Sequence, residues 1–126
     1  MTKGGSVLDR QPVFVLSQVC LNKNGRDILK EIDWRVGAGK VSIVLGPTGS
    51  GKTSLLRLLN RLDDPTSGDV LYMDRPIKTA DVRDLRKEVG MVLQQPFLFD
   101  GTVLDNVLYG ARLHGIDADV EEIISL

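Results

Sequence analysis

The 126-residue chain is short of most features that mark specialised protein classes. It has one cysteine, Cys20, so neither an internal disulfide nor a thiolate metal cluster can form, and a reducing compartment is the expectation. It lacks any run of about 18 apolar residues, the length a membrane-spanning helix needs. Residues 1–5 carry one lysine with no apolar stretch behind it, unlike a secretory leader. It has no excess of either charge: 16 Lys and Arg stand against 17 Asp and Glu, so a net of -1 argues against a strongly basic nucleic-acid binder while leaving room for a local basic patch. Low-complexity segments and internal repeats are absent. Together these absences give the expectation of a soluble, cytosolic chain, and the length suits one modest domain.

What is present is a regular alternation of short apolar segments and turns. Residues 12–19 read as a strand, apolar on most of both faces. Asn24-Gly25 within NKNGRD is hairpin chemistry. Ile32, Trp34 and Val36 alternate with Asp33 and Arg35, which predicts a strand with one buried face. The β-branched run VSIVL at 41–45 reads as a strand buried on both sides. Leucines at 55, 56, 58, 59 and 62 predict a helix over 52–62, which DDPTSG would end. A strand is expected at 70–73 with a turn at Asp74-Arg75-Pro76, then a charged helix over 81–88, a strand over 89–93, and helices at 103–109 and 117–126. The order β first, then alternating β and α, is that of an α/β protein with an antiparallel side sheet.

Residues 46–53 read GPTGSGKT and satisfy G-x-x-x-x-G-K-[ST] at every defined position, between an expected strand and an expected helix. Gly46, Pro47, Thr48, Gly49, Ser50, Gly51, Lys52 and Thr53 are the candidate binding residues. The glycines let successive N–H groups converge on phosphate oxygens, and the helix start adds its unpaired donors. Lys52 would reach the β- and γ-phosphates, and Thr53 would offer a hydroxyl to Mg2+. The alternative is a glycine-rich turn with no ligand.

Further along, residues 89–106 read VGMVLQQPFLFDGTVLDN, and residues 58–68 read LLNRLDDPTSG, with Leu85-Arg86 between them. With the phosphate loop, these segments resemble the ATPases of ABC transporters over residues 13–126. The resemblance implies an α/β P-loop NTPase fold of the ABC ATPase type, incomplete here, with an N-terminal antiparallel β subdomain. Residues 1–126 would form part of one nucleotide-binding domain, from the antiparallel β and P-loop portion through the Q-loop to the start of the helical subdomain. It also implies ATP and Mg2+ as cofactors, with Gln94 as the Q-loop glutamine reaching the metal and the attacking water. The implied partners are transmembrane permease subunits and a second ATPase subunit, with no nucleic acid. The implied location is cytoplasmic, peripheral on the inner face of the membrane through the permease. LYGARLHGI and LRLLNRL are similar to importers of phosphate or related oxyanions.

Gln94 and Gln95 also fit an ordinary solvated strand end. Phe97, Leu98 and Phe99 fit either plain core or an apolar patch for a membrane-subunit helix. The family's adenine-stacking aromatic after the first strand has no counterpart in Leu21-Asn22-Lys23-Asn24-Gly25, and Trp34 reads as packing. The signature segment, the apolar strand ending in Asp-Glu and the switch histidine have no match, and His114 reads as a loop residue. Nucleotide binding without efficient hydrolysis is therefore expected, whether as part of a transporter subunit or as a non-hydrolysing remnant. A small P-loop kinase, with Asp74 holding the metal, is a further alternative. The family's sheet places later strands between 41–45 and 89–93. The expectation for these 126 residues alone is therefore low stability or association through uncovered edges.

Overall fold

The computed structural model describes residues 11–95, 97–117 and 119–124. They fall into two compact units, divided between Met91 and Val92.

The first unit is built on an antiparallel sheet. Strand β1, Pro12–Lys23, pairs with β2, Arg26–Gly37, and with β3, Ser67–Tyr72, which in turn pairs with the two-residue β4, Arg75–Pro76. The strand order is β2-β1-β3-β4. Asn24 and Gly25 both adopt positive φ (53° and 77°), the type I′ geometry whose twist suits a tight hairpin. The second hairpin does the same one residue earlier than its sequence suggests. Met73 and Asp74 turn with φ of 49° and 60°, while Arg75 and Pro76 already pair with Tyr72 and Leu71.

β1 runs four residues beyond its expected end, and of its two apolar faces one is fully buried while Val13 and Val15 on the other are half-buried. Phe14 and Leu16 point inward, and so do Val19 and Leu21, a change of phase that plain alternation forbids. The ladder register shifts between Leu16 and Val19, and Gln18 sits at φ 49°. This bulge inserts one residue and restores the inward phase. Asp33 accepts from the Gln18 N–H at 2.8 Å and also from the Gln18 side-chain amide, which holds the bulge in place. On β2, Ile32, Trp34 and Val36 are half-buried and pack on the core, as their alternation predicts.

Helix α1, Lys52–Leu59, buries Leu55, Leu58 and Leu59 against that sheet. It stops at Asn60 rather than at 62, and Arg61 follows at φ 53°. A short 3-10 turn, Ile77–Thr79, leads into α2, Val82–Glu88, which buries Leu85. Asp81 caps α2 by accepting from the N–H groups of Arg83 and Asp84, and its carboxyl is held below its usual range by those donors.

Neither apolar run expected as an interior strand is one here. Residues 41–45 and 89–93 have no ladder partner among the described residues. Val41, Ile43 and Leu45 are 92%, 76% and 86% exposed, and Val92 is 99% exposed. Composition makes such a run compatible with a buried strand, but only a neighbouring strand can supply the hydrogen bonds that make it one.

The second unit contains α3, Val103–Leu113, and α4, Val120–Ile124. Thr102 and Asp105 cap α3 reciprocally: the Asp105 N–H donates to Thr102 Oγ1 at 3.1 Å, and the Thr102 N–H donates to Asp105 Oδ2 at 3.0 Å. The Thr102 hydroxyl and then Arg112 hold the Asp105 carboxyl far below the usual carboxylate range. Pro96, and Ala118, Ser125 and Leu126 of the expected 117–126 helix, lie outside the described residues.

Candidate functional site

The phosphate loop follows the 41–45 segment, exposed except at the half-buried Val44, and ends at α1. Gly49 and Gly51 take φ of 81° and 90°, a region that side-chain-bearing residues avoid. At Gly51 space excludes a side chain as well. A Cβ there would lie 2.8 Å from the Ile28 carbonyl oxygen and 2.9 Å from Leu29 Cδ2, so the loop rests directly on β2. The Gly51 carbonyl accepts the first α1 hydrogen bond, from the Leu55 N–H at 2.8 Å. Among the described residues, no protein group accepts from the N–H groups of Gly51, Lys52 or Thr53. These are the orphan donors of a helix start, carrying the positive end of its dipole.

Lys52 is half-buried and folds back over the loop. Its ammonium donates to the carbonyls of Gly46 and Pro47, at 2.7 Å each. The cation is thereby held over the same backbone whose amides stand free. Thr53 is exposed on the first turn of α1. Gly46, Pro47, Thr48 and Ser50 complete the loop. Ser50 donates its N–H to the Pro47 carbonyl at 3.3 Å, and its side chain occupies the space a Cβ on Gly46 would need.

These features fit a polyphosphate: several aligned amides, one compact cation, and no carboxylate within GPTGSGKT to repel it. They fit Mg2+ as well, through a single hydroxyl that leaves most coordination positions to phosphate oxygens and water.

Asp74 lies exposed in the β3–β4 turn of the antiparallel sheet, so it does not end an interior strand as a metal-holding acid would. Trp34 packs on the core. His114 is exposed at the C-terminal cap of α3.

In the second unit Gln94 is exposed in a bend. After it, Phe97, Leu98 and Phe99 are 78%, 73% and 44% exposed, which makes them a surface patch rather than core. Phe99 stacks on Tyr109 with ring centroids 4.1 Å apart and meets Phe97 edge-on at 5.3 Å. Asn106, which in the sequence reads only as part of a helix start, holds the patch. Its side-chain oxygen accepts from the Phe99 N–H at 2.7 Å, and its amide donates to the Phe99 and Thr102 carbonyls at 3.0 Å each. The signal was an asparagine four residues after a capping threonine, legible only once the loop's direction is known.

A family profile described as "ABC transporter" matches residues 29–126. Protein STAR1 of Oryza sativa subsp. japonica is 50% identical over 105 residues, covering 81% of this chain and 30% of the relative. The Phosphate import ATP-binding protein PstB 1 of Streptococcus agalactiae is 38% identical over 113 residues, covering 84% of this chain and 45% of that protein. Among solved structures, cbiO1 from Clostridium perfringens, part of the ABC transporter complex cbiONQ, superposes with a TM-score of 0.73. The identity is 28%, over 92% of this chain and 47% of that one. The chain thus spans less than half the length of each of these proteins. The phosphate loop, the antiparallel sheet and these matches agree: the chain belongs to the ABC transporter family.

Proposed function

We propose that these residues form the nucleotide-grasping portion of a transporter ATPase subunit, which binds ATP with Mg2+ and takes part in driving a solute across a membrane. The observation that carries the reading is the loop at 46–53. Its free amides at Gly51, Lys52 and Thr53 and its folded-over lysine form a cradle for a polyphosphate chain.

Lys52 exchanges two neutral carbonyl partners for anionic phosphate oxygens, so that its charge meets a full opposite charge in place of a carbonyl dipole. Gly49 and Gly51 hold the backbone so that the donors need no rearrangement. Thr53 presents its hydroxyl to the metal, and Gln94 is the residue we assign to orienting metal and water. Bound Mg2+ supplies neutralisation of phosphate charge and the geometry for transfer. Because Lys52, Thr53 and Gln94, the residues assigned to the nucleotide and metal, supply no general base, residues 1–126 alone bind nucleotide without efficient turnover.

Transmembrane permease subunits and a second ATPase subunit are the partners this function needs. It acts on the cytoplasmic face, and the likeness of LYGARLHGI and LRLLNRL to importers of phosphate or related oxyanions is what supports a solute of that class. The exposed Phe97-Leu98-Phe99 patch supports a permease contact, since so much bare apolar surface marks a docking site.

Titration with Mg-ATP tests the reading. Lys52→Ala should weaken binding about 10- to 100-fold, the equivalent of roughly 1.5–3 kcal/mol for a charge-assisted bond. Asp74→Ala should leave affinity unchanged, and phosphate release should stay at the Lys52→Ala level. Equal losses at Lys52 and Asp74 would instead favour kinase-type metal binding, and absence of any binding by folded protein would end the proposal.

A further inference from the structure

The C-terminal end of α1 and the segment around α2 are joined by two arginines that reach in opposite directions. Arg86, on α2, donates from Nε to the Asn60 carbonyl at 3.1 Å and from Nη2 to the Arg61 carbonyl at 2.7 Å. Arg61, just past α1, donates from Nη1 to the Ala80 carbonyl at 3.0 Å and the Lys78 carbonyl at 3.4 Å, on the turn that leads into α2. Each guanidinium thus grips main-chain oxygens of the other's segment. Two donors set at a fixed angle suit adjacent carbonyls in a way a lysine cannot match. The Arg61 side chain is only 18% exposed, and Asn60 beside it is 5% exposed with its side-chain oxygen unpaired among the described residues. Leu58, Leu59, Ile77 and Leu85, from the same segments, belong to one buried core cluster.

We propose that Arg61 and Arg86 are positioning residues for the phosphate loop, and that their crossed clamp links nucleotide occupancy to α2. This rests on the nucleotide-binding reading above. The argument is geometric. α1 has eight residues, so it is about 12 Å long at 1.5 Å per residue. A rod that short has two handles. One is Gly51, seated on the Ile28 carbonyl and Leu29, and the other is the end that Arg86 holds. Lys52 and Thr53 project from the first handle, and with Leu55, Leu58 and Leu59 seating the helix in the core, the fixing of the second contributes to their direction. The Arg86 guanidinium, on the carbonyl of the C-cap residue Asn60, also complements the negative end of the α1 dipole. On the far side of the clamp, α2 ends at Glu88, six residues before Gln94 along the chain. Whatever tightens α1 around a phosphate should also tighten α2, and linkage requires the converse.

The test measures Mg-ATP affinity and amide-exchange protection of α2, with and without nucleotide. The proteins compared are wild type, Arg86→Ala, Arg86→Lys, Lys52→Ala and a control, Arg35→Ala, on the exposed face of β2. Arg86→Ala should weaken Mg-ATP roughly tenfold, within the usual 5- to 150-fold range of coupled sites, and abolish the nucleotide-dependent protection of α2. Arg86→Lys should recover part of both, and Arg35→Ala should match wild type. If Arg86→Ala fails to fold, Arg86→Lys decides: weaker binding at an unchanged thermal midpoint supports the clamp, and unchanged binding overturns it. Wild-type affinity and protection in a folded Arg86 variant, while Lys52→Ala loses binding, sinks the clamp and leaves the nucleotide reading intact. Failure of the wild type to bind removes the reading itself, and the clamp's role with it.

Discussion

Replacing Gly51 by alanine separates two effects that glycine combines. The first is conformational: at φ 90° and ψ 3°, alanine meets the steric penalty of the left-handed region, about 1–2 kcal/mol. The second is spatial. The new methyl group would lie 2.8 Å from the Ile28 carbonyl oxygen and 2.9 Å from Leu29 Cδ2, and the first of these is backbone that cannot rotate away. Overpacking of this kind costs roughly 1–3 kcal/mol. Gly49 provides the control, because it has a similar φ of 81° but a Cβ there meets nothing within 4 Å. Both substitutions stiffen the unfolded chain equally, so that contribution cancels in the difference. In urea unfolding followed by circular dichroism, Gly49→Ala should lose about 1–2 kcal/mol, and Gly51→Ala a further 1–3 or so from the clash. If the two variants unfold within about 0.5 kcal/mol of each other, the loop does not rest on β2 as described, and the argument for a pre-set cradle loses its support.

Two other outcomes follow from the same structure. Ile43 is 76% exposed, so Ile43→Lys should change unfolding stability by less than about 0.5 kcal/mol while reducing light scattering at high protein concentration; a loss above about 1 kcal/mol would mean that this segment is packed after all. Asp63 receives Arg57 at 2.7 Å and Lys23 at 2.8 Å on one oxygen, and the Arg57 bond, with Lys23 assisting against burial, holds its carboxyl below its ordinary 3.8. That stabilisation is complete above about pH 4 and is lost as pH falls through the lower folded value, so wild type should lose its thermal advantage over Asp63→Asn in acid; a constant difference between the two down to about pH 2 would refute the pairing.

Much of the site was legible because its determinants are local. Asn24-Gly25 makes its turn from its own backbone preferences, and GPTGSGKT carries its glycines, lysine and hydroxyl at fixed spacing. The leucines of α1 and the alternation of Ile32, Trp34 and Val36 needed only a period to show which face is buried. The β1 bulge was not legible, since nothing near Gln18 announces that Asp33 across the ladder will hold an extra residue. Asn106 was missed for the same reason: its partner, Phe99, lies in a loop whose path the local sequence does not dictate.

Taken alone, the order of the amino acids determined the phosphate loop, the two tight hairpins to within a residue, and which helix face turns inward, because each depends on neighbours along the chain. Tertiary structure alone decided that residues 41–45 and 89–93, apolar enough to be interior strands, are not strands here, because a strand exists only through the hydrogen bonds of another. It also decided that Arg61 and Arg86, 25 positions apart, exchange grips on each other's carbonyls, because long side chains find partners only after the backbone has brought distant segments together.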